Sequence, residues 1–127
     1  GAAKLRSLAK DPSKVFMLYH GLDLEKFRPR KMLIPKNDGT PSNPPARLIS
    51  VGRTVQKKGF DVLLEALALM PDDLCWEWTH IGDGPHTKKL KKHAKSLGIS
   101  DYIHWRGAQN SDKVIIALRQ ADIFVLC

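Results

Sequence analysis

Arg53 and Lys58 stand inside the stretch Val51-Gly52-Arg53-Thr54-Val55-Gln56-Lys57-Lys58-Gly59-Phe60. An apolar run precedes it and a helix-periodic run follows, so the stretch reads as a turn from a strand into a helix. Gly52 lets the backbone turn sharply at the strand end, and Gly59 sits where the helix begins. The first turn of a helix offers unpaired N–H groups and a partial positive charge, which draw anions. A guanidinium and an ammonium converging there could hold a diphosphate, the arginine through its two-pronged fork. The same residues also describe a plain basic loop with solvated side chains. Spacing alone does not choose between the two.

A second turn of the same kind is Ile81-Gly82-Asp83-Gly84-Pro85. Its glycines, lacking side chains, could let a nucleotide approach the backbone closely. It is not the dinucleotide fingerprint, because Thr87 stands where the third glycine belongs. Taken alone, the segment is equally a tight turn.

These turns need strands and helices to position them. Leu48–Val51 reads as a strand, and apolar residues at 60, 63, 64, 67 and 70 have the spacing of an amphipathic helix. Trp76–Ile81 reads as the next strand, with Trp76 and Trp78 on one face, packing under a helix. Pro85 suits the opening of a helix that carries Leu90, Ala94 and Leu97 on one stripe until Gly98. A third strand spans Tyr102–Trp105, and Ser111 is expected to cap a helix running to Ala121. Asp122 reads as a turn or cap residue, and Ile123–Leu126 as a fourth strand. The alternation of strand and helix with short connections predicts an α/β fold, a doubly wound parallel Rossmann-like sheet. Such sheets bind ligands at the carboxyl ends of their strands. Upstream, Val15–Tyr19 is expected to form a short strand leading into a turn at His20–Asp23. Residues 37–45, with three prolines, read as a loop or linker. The division expected is a hinge and linker segment over 1–45 and a partial domain over 46–127.

The four segments occur in one order: His20-Gly-Leu-Asp-Leu-Glu-Lys-Phe-Arg-Pro29, Val51-Gly-Arg…Lys-Lys-Gly-Phe-Asp-Val-Leu, Ile-Gly-Asp-Gly-Pro85, then Ala-Asp-Ile-Phe-Val-Leu126. In that order the chain resembles the family 4 retaining glycosyltransferases of the GT-B fold, over about residues 15–127. The resemblance implies two Rossmann-like domains facing across a cleft, the second of which holds a nucleotide-diphosphate sugar as donor. It implies that Arg53 and Lys58 contact the donor diphosphate and offset charge on the leaving nucleotide. It implies that Gly52, Gly59, Gly82, Asp83 and Gly84 line the nucleotide side, and that the strand of Ile103 meets the base. It places Asp23 at the crossing between domains, as a hinge residue. No metal or other cofactor is implied, because the cations take the place of a divalent ion. The family's paired glutamates would follow a Pro-Ser after the last strand, where Cys127 stands in the Pro position. The expectation is therefore a fragment that transfers no sugar by itself, its partners being a nucleotide sugar and the first domain of the parent chain. The parent reaction implied is hexose transfer to a glycan or lipid-linked acceptor with retention, in envelope polysaccharide synthesis. The alternatives are a non-catalytic nucleotide- or polyanion-binding module and a GT-B-like sugar epimerase.

The remaining composition bounds these readings. A net charge of +8 favours polyanionic partners. Lys88, Lys89, Lys91, Lys92 and Lys95 form a basic helix face, read as solvated, with peripheral contact to an anionic membrane as the sharper alternative. Nucleic acid is set aside, since no recognition motif accompanies the charge and aromatic residues make up only 7%. The five histidines do not cluster as metal ligands. Cys75 and Cys127 have no ligand-spaced partners, so a reducing cytoplasm is expected, with the inner face of the cell membrane as an extension. The opening Gly-Ala-Ala without Met suggests a tag scar or an excised piece.

Overall fold

The computed structural model describes residues 2–17, Glu25 and residues 37–126. A first helix, α1, spans Ala2–Leu8. Asp11 then caps a single 3-10 turn over Pro12–Lys14 by accepting from the Ser13 amide. Residues 15–17, expected in a strand, are not in one, and Phe16 and Met17 lie exposed. An apolar run forms a strand only where another strand completes its hydrogen bonds. Leu18, Tyr19, the His20–Asp23 turn and the hinge role given to Asp23 lie outside the described residues.

The main body is a four-stranded parallel sheet. β1 spans Ala46–Val51, β2 Trp76–Ile81, β3 Ile103–Trp105 and β4 Ile123–Phe124, in the order β3-β2-β1-β4. Three helices connect them: α2 over Phe60–Ala68, α3 over Thr87–Ser96 and α4 over Ser111–Gln120. The chain winds outward from β1 to β3, then returns to lay β4 on the free side of β1. The order therefore reverses at β1, and in open α/β sheets that switch point is where a crevice opens at the carboxyl ends. The helix α4 begins one residue earlier than its expected cap implied. Asn110, not Ser111, has the extended cap conformation, and its side-chain oxygen accepts from the Lys113 amide.

Packing follows the alternation of the strands. Trp76, Trp78 and His80 face α2 and α3, where Phe60, Leu63, Leu64, Leu67, Leu90 and Ala94 close the core over them. Trp78 is fully buried, and its Nε1 donates to Ser50 Oγ at 3.1 Å; that hydroxyl donates in turn to the Val125 carbonyl at 2.8 Å. One serine of β1 thus links β2 to the residue that follows β4 without leaving a polar atom unpaired. At the other end of the sheet, Asp122 is an ion-pair partner rather than a turn residue. Its carboxylate accepts from Arg47 Nε at 2.9 Å and Nη2 at 3.0 Å, and from the Arg47 amide. Residues 37–45, read from the sequence as loop or linker, form a turn bonded to the sheet. The Cys75 amide donates to the Gly39 carbonyl at 2.7 Å, and the Ala46 amide to the Cys75 carbonyl at 2.9 Å.

β1 and β2 pair residue for residue from Ala46↔Trp76 to Val51↔Ile81, so their carboxyl ends finish level. The turns that follow must share one space. Gly82 has φ of 140° and lies so close to β1 that an added Cβ would stand 1.9 Å from the Gly52 carbonyl oxygen. No L side chain fits there. At Gly98 the φ is also positive, at 74°, but an added Cβ meets nothing within 4 Å. Gly82→Ala is therefore expected to cost about 3 kcal/mol or more in urea unfolding, against about 1 kcal/mol for Gly98→Ala. Equal costs would contradict the close contact.

His80 carries a second stability consequence. It is fully buried against Phe60, Trp78 and Trp105, with the Phe60 ring centroid 4.5 Å away, and neither ring nitrogen has a hydrogen-bond partner among the described residues. Burial pushes its pKa down from 6.5 to about 4. Above pH 6.5 both folded and unfolded states hold it neutral, and stability is full. As pH falls through 6.5 only the unfolded chain takes up the proton, so stability drops until about pH 4. At roughly 1.4 kcal/mol per pH unit, about 2 kcal/mol should be lost between pH 6.5 and 5. A His80→Leu variant should lose much less over that window in denaturant titrations; an equal loss would assign the acid sensitivity elsewhere.

Candidate functional site

At the carboxyl ends of β1, β2 and β3 the chain places Gly52, Gly82 and Gly107 side by side. The Gly52 amide donates to the Ile81 carbonyl at 2.9 Å, and the Gly82 amide to the Gly107 carbonyl at 2.8 Å. Three strand ends are thereby bonded into one floor. From it rise the β1–α2 loop and the β2–α3 loop, which hold seven of the eight residues singled out from sequence.

The β1–α2 loop presents the cations. Arg53 directly follows the floor and is exposed, while Lys58 is half-buried. The Lys58 Cε stands 3.9 Å from where a Gly52 Cβ would be, so the lysine chain lies back over the end of β1. A 3-10 turn at Gln56–Lys58 carries the second cation. It ends at Gly59, whose left-handed φ of 60° turns the chain into α2 with no side-chain cap over the helix start. Neither the Arg53 nor the Lys58 side chain makes a hydrogen bond or ion pair among the described residues, their backbones alone bonding, to Val55. Arg47, by contrast, has its guanidinium taken by Asp122. Two cations beside a helix start with no side-chain cap, against one acid in its first turn, Asp61, leave a corner of net positive charge.

The β2–α3 loop is organised around its own acid. Asp83 Oδ1 accepts from the Gly84 amide and from Thr87 Oγ1, each at 2.7 Å. The Thr87 hydroxyl, then the Gly84 amide and, to a lesser degree, Lys91 hold the Asp83 carboxyl below its usual pKa. Gly84 is held to glycine by its neighbour, since a Cβ there would stand 2.8 Å from Thr54 Oγ1 and 2.9 Å from the Thr54 carbonyl oxygen. Both glycines of this loop thus serve its contact with the β1–α2 loop.

Ile103 stands apart from this cluster. It opens β3, pairs with Trp78 and is buried in the core. The carboxyl end of that strand belongs instead to Trp105, followed by Arg106 and Gly107. Sequence reasoning missed Thr54 and Thr87, whose hydroxyls meet at 2.7 Å across 33 positions; no local pattern announces such a pair. The lysines of α3 at 88, 89, 91, 92 and 95 are all exposed, with Lys91 Nζ 6.0 Å from the Trp105 ring centroid. Among the described residues no group of three His, Cys, Asp or Glu could hold a metal ion. None of their helices is long and apolar enough to cross a membrane.

Two grooves accompany the site. One of about 580 Å³ lies between the sheet and α4, lined by Ile49, Thr79, Ile81 and Ala117 among others, on the face away from α2. Another of about 450 Å³ runs between α2 and α3 from Val55 and Gln56 to Ser96. Neither is lined by Arg53 or Lys58. The chemistry of the cations, rather than the volume of either groove, marks the candidate site.

Residues 35–127 match the family model for glycosyl transferases group 1. The chain is 29% identical over 126 residues to the putative colanic acid biosynthesis glycosyltransferase WcaL of Salmonella typhimurium, an alignment covering 98% of this chain and 29% of WcaL. It thus spans under a third of that relative's length. Among solved structures, the apo form of the lipopolysaccharide outer core galactosyltransferase WaaB aligns with a TM-score of 0.67 at 19% identity, covering 98% of this chain and 33% of that one. Anabaena Alr3699/HepE, solved with UDP and glucose, aligns at 0.54 and 20% identity, over 63% of this chain and 22% of that one. These structures share the parallel, Rossmann-like sheet with flanking helices. With the family match extending over most of its length, the chain belongs to the glycosyl transferases group 1.

Proposed function

We propose that this chain supplies the diphosphate grip of a donor site, in an enzyme that moves a hexose from a nucleotide-diphosphate sugar to a glycan or lipid-linked acceptor with retention. The observation that carries the reading is the pair Arg53 and Lys58, unpartnered among the described residues and held at the switch point of the sheet beside the uncapped start of α2. Each cation would form charge-assisted hydrogen bonds to phosphate oxygens, and the first amides of α2 would add theirs. Such groups stabilise the charge that grows on a leaving nucleoside diphosphate as the glycosidic bond breaks. On this reading the two side chains neutralise the diphosphate and no divalent ion is assigned to it. The ligand pair in HepE, UDP with glucose, supports the choice of donor class. Residues 46–127 then belong to the nucleotide-sugar-binding domain, with 1–45 leading into it.

Calorimetry with a nucleoside diphosphate, at one fixed salt concentration, tests the grip. The double variant Arg53→Ala, Lys58→Ala should bind at least about tenfold more weakly, a loss of about 1.4 kcal/mol or more. Raising the salt should weaken the wild type more steeply than the variant, because screening acts on the charges that were removed. Equal affinities would reject the diphosphate role.

A further inference from the structure

Arg53 is bracketed by two pinned residues. On one side the Gly52 amide is bonded to the Ile81 carbonyl. On the other, Thr54 is completely buried and held by the β2–α3 loop and the first residue of α3. Its amide donates to the Asp83 carbonyl at 3.2 Å, its carbonyl accepts from the His86 amide at 3.1 Å, and its hydroxyl lies 2.7 Å from that of Thr87. The direction of the hydroxyl bonds can be worked out. Thr87 has one proton, and its oxygen lies 2.7 Å from Asp83 Oδ1 and 2.9 Å from the Gly84 carbonyl. Both of those groups only accept, so the Thr87 proton points to them and its lone pair receives the proton of Thr54. The relay runs from Thr54 to Thr87 to Asp83, ending on an exposed carboxylate.

We infer that Thr54 and Thr87 are positioning residues for Arg53: their hydroxyl relay to Asp83 clamps the β1–α2 loop onto the β2–α3 loop and so sets where the guanidinium is presented to a diphosphate. This rests on the donor-site reading given above. With the backbone on both sides of Arg53 fixed, ligand binding has only side-chain torsions to order, which lowers the entropic cost of the contact. Breaking the relay leaves a buried hydroxyl unpaired and loosens the loop that carries the cation, which then keeps only the two backbone hydrogen bonds of Thr54. The role also explains why an acid sits beside a site for anions. Asp83 does not meet the phosphate; it terminates the clamp.

A double-mutant cycle on the 127-residue chain tests this, with dissociation constants for a nucleoside diphosphate read by calorimetry and folding checked by circular dichroism. Thr87→Val keeps the shape and removes the hydroxyl. It should weaken binding about fivefold beside a native Arg53, and less than twofold in an Arg53→Ala background, while Thr87→Ser restores the native value. Asp83→Ala, at an exposed position, offers a second arm with opposed signs. Removing a negative charge near a bound diphosphate would by Coulomb attraction alone tighten binding, whereas loss of the clamp weakens it. Tighter or unchanged binding in Asp83→Ala, or an equal loss from Thr87→Val in both backgrounds, overturns the positioning role. If Arg53→Ala alone leaves binding unchanged, or the wild type binds no diphosphate, the donor-site reading fails and takes the inference with it.

Discussion

Two backbones meet at the end of the sheet with room for hydrogen atoms and nothing larger. The Gly82 Cα lies against the Gly52 carbonyl so closely that a Cβ would fall 1.9 Å from its oxygen. That contact follows from the full register of β1 with β2, which brings both strands to an end at the same level. Two loops leaving from one level have to interpenetrate. Glycine at 82 and again at 84 lets them, and Thr54 fills the space that Gly84 leaves. Beneath the contact, the Trp78–Ser50–Val125 hydrogen-bond chain holds β2, β1 and the residue after β4 together, so the level ends stay level.

The electrostatics of the corner depend on what this geometry leaves unpaired. Arg47 and Arg53 are separated by only six positions along β1 and its exit, yet their fates differ. Arg47 is the second residue of the strand and is bonded through both Nε and Nη2 to Asp122, which carries the chain into β4. Arg53 follows the strand's other end, where Asp83, the acid of the facing loop, is already occupied by Thr87 and Gly84. A guanidinium with no carboxylate of its own, next to an uncapped helix start, keeps its full attraction for an incoming anion. The net charge of +8 adds a long-range field of the same sign.

Much of this architecture was legible in the residues before any coordinates. The period of two in Trp76–Ile81 and the helical spacing from Phe60 onward report burial directly, so the strand, the helix and the core tryptophans stand where they were expected. The apolar run beginning at Val15 misled because an apolar segment becomes a strand only if a neighbour pairs with it. Asn110 and Ser111 are both good caps, and local composition could not rank them. Asp122 was misread for a different reason: its partner Arg47 lies 75 positions away. Distance in sequence likewise hid Thr54 and Thr87. The family resemblance supplied Arg53 and Lys58 with a role, but which groups aim them is a property of the folded loops alone.

The account stands on the claim that anion binding is confined to the two interlocked loops. Backbone amide spectra of the labelled chain, titrated with a nucleoside diphosphate, test it most directly. The amides of residues 52–60 and 82–87 should shift together along one binding curve, while those of Gln109–Ala121 beside the larger groove stay unmoved. Shifts centred on α4, with Gly52–Phe60 unchanged, would contradict it.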